Sequence, residues 1–436
     1  MFKKLEQLPF DIEKLSLLSE NIFSGITPLS GGDAYTIPPD GIPFIRSGEI
    51  NSDGKVIPSH DVHIIESIHN GLMRRSQLKK NDVLIAIVGA TIGAVGIYES
   101  DEPANVNQAI AVVRLKQERV LPKYVVAFLL SSLGQEILDY MKRPVARANI
   151  NLEEIGEITI PVPPFDIQKE FIKQYDVARE GRNKKLAQAD SFLQSIDEYI
   201  IKQLGLTIEE QQIKRRVFGI KLSQINGAIN AERYSKRLTG KLSQGLKLSD
   251  IADILEPKIS PSKEAPLEEW DWIRIDDLPN QPLEVETIRT QKGSEINGSL
   301  FKVEKNDILL ARLGPTILNA KFILCPPLHR RTVASGEFLV LRCKDGWDPN
   351  VVLWILRTKY YRDMMYSQAR GGTPSRYRLN KDDLAALELP QIDKDTQEKI
   401  ANVIAETIAK IKRNRLEANN EWGNAQKQFE QKLYQN

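Results

Sequence analysis

Two basic stretches, the second also rich in hydroxyls, hold the residue types best suited to chemistry. One is KRPVARANIN, with Lys142, Arg143, Arg147, Asn149 and Asn151; the other is ARGGTPSRYRLN, with Arg370, Gly371, Gly372, Thr373, Ser375, Arg376, Tyr377 and Arg378. The chemistry they fit is recognition rather than bond making. Arginine donates two parallel hydrogen bonds to guanine, asparagine pairs with adenine, and hydroxyls and main-chain N–H groups hold phosphates. Gly371-Gly372 would let the main chain approach a nucleic-acid backbone closely. Further candidates are Arg46, Arg74 and Arg75 in the first half, and Arg274, Arg289, Arg312, Arg330 and Arg331 in the second. Any one of these arginines could equally be a solvated surface charge. What points to DNA is that the two loops fall at equivalent places in a repeated chain.

Signals for catalysis are weaker. VPPF at Val162–Phe165 is similar to the Asn-Pro-Pro-aromatic loop of amino-methyltransferases, but that loop needs Asn or Asp to hold the amine, and Val162 stands there. VGATIGAVG lacks the Gly-Lys-Ser/Thr ending of a phosphate loop and is not a G-x-G-x-x-G opening a helix, so it reads as glycines at a tight hairpin. His60, His63 and His69 fall in a polar loop without cysteine or carboxylate company, which argues against a metal site. Asp82 and Asp307 each stand alone at a turn. No catalytic residue, metal ligand or resident cofactor is read from the sequence.

Composition leaves the partner open. Sixty Lys and Arg against 58 Asp and Glu give a net charge of +2, and a phosphate-binding face can hide inside a neutral total. Two cysteines make no disulfide framework, so a reducing cytoplasm is expected. MFKKLEQLPFDIEK has no apolar core of a secretory signal. The apolar run Val83–Tyr98 falls short of the ~20 residues of a membrane span.

The elements that must position these loops are written twice. Lys80-Asn81-Asp82 returns as Lys305-Asn306-Asp307, Gly89 as Gly314, and Thr91 as Thr316. IPFIRSGEI answers WDWIRIDDL, and NQAIAVVRLK answers SGEFLVLRCK. LEEIGEITIPVPPFDIQKEF answers KDDLAALELPQIDKDTQEKI, with Gln168 on Gln397. The matches keep their order at a shift of roughly 225–230 residues, the mark of a duplication. The duplication also turns the apolar run into a buried strand pair, because its counterpart Ile308–Leu324 carries Arg312, Asn319 and Lys321.

Each unit reads as a helix-prone lead (Asp11–Asn21; Leu248–Leu255), an extended stretch through Arg46 or Arg274, and an Asn-Asp turn into two apolar strands. A further strand follows, then a helix (Leu121–Met141; Pro349–Gln368), the basic loop, a short strand ended by proline, and a long closing helix. In the closing helices Leu193, Ile196, Ile200 and Leu204 make one apolar seam, and Trp422, Ala425, Phe429 and Leu433 make the other. Two equal seams are expected to pack on each other, antiparallel, as a spacer. The expected fold is α+β: two similar mixed α/β domains joined by two long antiparallel helices, with a pseudo-two-fold internal repeat. The boundaries are 1–165 and 206–394 for the domains, and 166–205 and 395–436 for the helices.

This arrangement resembles the specificity (S) subunit of type I restriction–modification systems. The resemblance rests on IPFIRSGEI, on KKNDVLIAIVGATIGAVGI and its partner, on each strand–proline–Gln–helix passage, and on INAERYSKRL (Ile229–Leu238). One departure stands out: the second unit reads LPQIDKDTQ where the first has Pro163, Pro164 and Gln168, which makes that helix start less defined. The resemblance implies two target-recognition domains, each reading one half of a split double-stranded DNA site, with the paired helices as a ruler. It implies as partners two methyltransferase subunits and two translocase–nuclease subunits, which would hold S-adenosylmethionine, ATP and Mg. The alternatives are a specificity-like subunit of a stand-alone methyltransferase or other defence complex, or a coiled-coil adaptor that never binds DNA.

Overall fold

The computed structural model describes residues 2–29, 33–36, 38–58, 62–89, 91–142, 149–206, 210–212, 236–238, 245–371 and 376–435. Two units emerge from the packing. The first comprises Met1–Ala187 with Asn414–Asn436, and the second Gln188–Arg413.

In the first unit Val83–Ala86 is buried on both faces, which is why it reads as an unbroken apolar run. It lies inside a four-stranded sheet ordered Ser19–Ser24, Ile110–Leu115, Val83–Ala86, Val95–Ile97. The second unit builds the same sheet from Ala252–Leu255, Phe338–Cys343, Ile308–Ala311 and Phe322–Leu324. Each unit adds a second sheet containing one parallel pairing, Ile42–Ile45 with Asn105–Val106 and Glu269–Ile273 with Thr332–Ser335. Each also has a two-stranded ladder, Ile12–Lys14 with Thr159–Pro161 and Gly245–Lys247 with Glu388–Pro390. The duplication seen in the residues is thus a duplication of topology.

Equivalent polar residues hold the two frames. Asn81 and Asn306 take left-handed φ values of 73° and 68°, a conformation Asn tolerates at a turn. Asp82 and Asp307 follow at the same turns. Each is buried and takes a two-pronged bond from an arginine on the adjacent strand, Arg114 at 2.8 and 2.7 Å and Arg342 at 2.9 Å for both bonds. Each also accepts a backbone N–H three residues back, from Lys79 and from Glu304, at 2.7 Å. Gln168 and Gln397 are a second matched pair. Gln168 accepts from Leu121 N and donates to Pro163 O, and Gln397 accepts from Asp348 N and donates to Gly346 O.

Several boundaries differ from the expectation. In the leads only Leu15–Leu18 and Leu248–Ile251 are helical, because Ile12–Lys14 pairs with Thr159–Pro161 and Ala252–Leu255 with Phe338–Cys343, which outweighs a weak local preference. Each middle helix is two: Pro122–Leu130 and Ser132–Met141, Pro349–Arg357 and Lys359–Gln368. Ser131 and Thr358 are extended there, and their hydroxyls accept from Gly134 N and Tyr361 N as N-caps. Between the paired strands, the first unit keeps a glycine loop with Gly89 and Gly93 at φ 90° and 91°. The second unit places a helical turn, Gly314–Leu318, at that point.

The long helices are Phe165–Gln203 and Lys394–Gln435. The second starts cleanly without its proline because Asp393 accepts Thr396 N at 2.7 Å. Contrary to the expectation that they pack on each other, the two seams fall in different cores. Ile196, Ile200 and Leu204 sit in the second unit's core with Ile400, Ile404 and Ile411, and Leu193 is half-buried against it. Trp422, Phe429 and Leu433 sit in the first unit's core, while Ala425 is half-buried. Within the first unit the helices run antiparallel: Phe171 meets Phe429 at 4.9 Å between ring centroids, Tyr175 meets Trp422 at 4.7 Å, and Lys185 reaches Glu417 and Glu421. A stripe this wide covers a globular core as well as a neighbouring helix.

Candidate nucleic-acid interface

The basic loops leave each frame at the same point, just past the inner strand of the four-stranded sheet. In the first unit Val88 bridges to Asn149, and Ile150 N donates to Ile87 O at 3.0 Å. In the second, Leu313 bridges to Arg378, Leu379 N donates to Arg312 O at 2.9 Å, and Gly314 N donates to Tyr377 O at 2.7 Å. Arg370 and Arg378 also exchange backbone hydrogen bonds of 3.0 and 2.8 Å, closing the base of their loop. Arg143, Arg147, Gly372, Thr373 and Ser375 lie outside the described residues, as do His60 and most of Ile229–Leu238.

Among the described residues, most of the second unit's candidate arginines are held by acids. Arg378 forks onto Glu337 at 3.1 and 2.8 Å, Arg312 meets Glu256 at 2.8 Å, and Arg370 meets Asp383 at 2.9 Å. On the other sheet Arg331 faces Glu268 at 3.1 Å and lies over the Trp270 ring, while Arg274 faces Asp276 and lies over Trp272. Arg330 makes only long contacts to Glu269 and Asp271, 3.6 and 3.8 Å. Arg289 forks onto Asp277 and holds that carboxyl below its ordinary range. Surface pairs of this kind contribute about 0–1 kcal/mol, so a phosphate or base edge could take an acid's place at little loss. Arg376 is exposed, and Tyr377 packs half-buried with its ring 6.1 Å from that of Tyr366.

In the first unit Arg46 is exposed at the end of strand Ile42–Ile45, and Arg74 and Arg75 are exposed on a 3-10 turn. Asn149 is exposed as well. His63 and His69 are buried rather than in a polar loop: His63 Nδ1 faces Asp40 O at 2.9 Å, and His69 Nδ1 faces Asn105 Oδ1. Among the described residues no three His, Cys, Asp or Glu side chains are placed to share a metal ion. No described helix is long and apolar enough to cross a membrane.

Residues 33–209 match the family model of the type I restriction modification DNA specificity domain. Through that segment the chain is similar to the type I specificity family. It is also 32% identical over 164 residues to the specificity subunit of the type I restriction enzyme EcoBI from Escherichia coli. That match takes in 36% of this chain and 34% of the relative, so the aligned part spans about a third of the relative's length. Among solved structures, an S subunit of a type I system from M. genitalium aligns over 98% of this chain and 96% of its own, at 14% identity and a TM-score of 0.41. A chain from a structural study of assembly and conformational transition in a type I system aligns over 98% and 97%, at 13% identity and a TM-score of 0.47. Most of the second unit lies beyond the matched family segment, and it carries the same sheet order as the first.

Proposed function

We propose that this chain is the non-catalytic DNA-recognition subunit of a type I restriction–modification complex, with each unit reading one block of a bipartite double-stranded site. The observation that carries the reading is the twofold occurrence of one sheet frame with unlike basic loops at equivalent places. A shared frame with divergent loops suits two readers of different base preference. Joining them in one chain makes the second contact nearly intramolecular. On this reading residues 1–165 and 206–394 are the recognition domains, and 166–205 and 395–436 set the spacing. Two methyltransferase and two translocase–nuclease subunits are the partners, and they bring S-adenosylmethionine, ATP and Mg. The site of action is the cytoplasm.

The test is to sequence genomic methylation with and without the gene. A split motif, two short defined blocks around an undefined spacer, disappears on deletion. Exchanging residues 206–394 for those of a relative changes one block and leaves the other. Methylation that is indifferent to the gene, with no salt-sensitive DNA affinity in the presence of partners, would instead favour a protein-binding adaptor.

A further inference from the structure

We propose that the turn Gly71–Ser76 is a base-reading edge of the first unit, on which Leu72 takes the 5-methyl group of a thymine. Arg74 and Arg75 donate to acceptors beside it, and Asn105 is the positioning residue beneath. This rests on the DNA-recognition reading above and adds which residues do the reading.

The turn alternates between outward and inward residues. Leu72 is 56% exposed, and Arg74 and Arg75 are exposed, while Met73 is fully buried in a small core with Phe44 and Ile64. Ser76 is buried too. The entry into the turn is tight, since a Cβ at Gly71 would come within 2.7 Å of Ser67 O. Asn105 has no exposed surface, and its Nδ2 donates to Met73 O at 2.9 Å and to Ser76 Oγ at 3.1 Å. Its Oδ1 meets the buried His69 ring. Gln77 Nε2 donates to His69 O at 3.0 Å, and Arg114, the arginine that grips Asp82, donates to Gln77 O at 3.2 Å.

A lone exposed leucine is ordinary. A surface turn held by a buried polar network is not, because each buried polar group must find its partner or cost stability. Such a network fixes what the turn presents: one exposed apolar side chain followed by two exposed arginines. In duplex DNA that combination matches the major groove, where thymine alone offers a methyl group and neighbouring bases and phosphates offer acceptors.

The experiment uses the full chain assembled with its methyltransferase subunits, after the motif has been defined by methylation sequencing. Leu72→Ala and Arg75→Gln should relax one block and leave the other at wild-type stringency. Duplexes with uracil for thymine in that block should bind the wild-type complex about three- to tenfold more weakly, and Leu72→Ala should show no further loss. Asn105→Ala should relax the same block while the other is still read. A motif unchanged by these substitutions, both blocks eroded equally, or an affected block without thymine would each overturn the proposal. A wild-type split motif that survives Leu72→Ala removes only this role for the turn, whereas a wild-type complex with no split motif removes the wider reading.

Discussion

Among the described residues, Arg376 differs from the arginines around it in having no acid matched to it. Arg312, Arg370 and Arg378 are matched to Glu256, Asp383 and Glu337; Arg376 is exposed at the rim of the same loop. Arg376→Ala is therefore expected to weaken or relax only the block read by the second unit, by about 1–3 kcal/mol for a base contact, scored by methylation of half-site variants. An effect on the other block would contradict the assignment. The cysteines give a separate test at this scale. Burial, with the nearby Asp307 charge, pushes the Cys325 thiol up to about 12, and burial with the Asp348 and Asp307 charges does the same for Cys343. The folded chain keeps both protons where an unfolded thiol, near ~8.5, loses them. Their contribution to stability is thus full below about pH 8.5 and is lost as pH rises towards 12. Iodoacetamide at pH 8 should label the buried Cys325 only after denaturation; its rapid labelling in the folded chain would refute that placement. The sequence showed these residues but not their partners, since Arg312 and Glu256 meet only once the sheet has formed.

At the scale of elements, the repeated glutamines are fasteners. Gln168 and Gln397 tie each long helix to the loop before the middle helices, which explains why glutamine recurs there when the flanking prolines do not. Gln168→Ala should cost about 1–3 kcal/mol through unmet buried groups, and Gln397→Ala no more than that, since Gln397 keeps 6% of its surface exposed and Gln168 none. Thermal unfolding followed by circular dichroism measures both; two neutral substitutions would show the bonds to be idle. The strand pairs were legible because a fully buried strand leaves a continuous apolar run. The breaks at Ser131 and Thr358 were not, although a hydroxyl inside an apolar helix pattern is the signal of a new N-cap. The strands within the leads read as helix because their pairing partners lie far along the chain, beyond the reach of local periodicity.

At the scale of the whole molecule, the sequence made the duplication plain but not which stretch completes which core. Seam spacing says that a helix has an apolar side; it does not say what that side covers. The first unit takes its last layer from residues 414–435, where Phe429 packs on Phe171 and Tyr124. Ending the chain after residue 413 should remove protection from hydrogen exchange in 122–141 and spare 349–368. Losing Phe429 and Leu433 alone removes about 5–10 kcal/mol of packing, comparable to the stability of a domain. Equal protection in both segments would show that the first core closes without that layer.

That borrowed layer has a consequence during synthesis. Translation delivers residues 1–187 early, yet their core waits for a stretch made more than two hundred residues later, whereas 188–413 is continuous and complete as soon as it clears the ribosome. The middle of the polypeptide is therefore expected to settle before its beginning, and a ribosome that stalls near the end of the message releases a product with its oldest part still open.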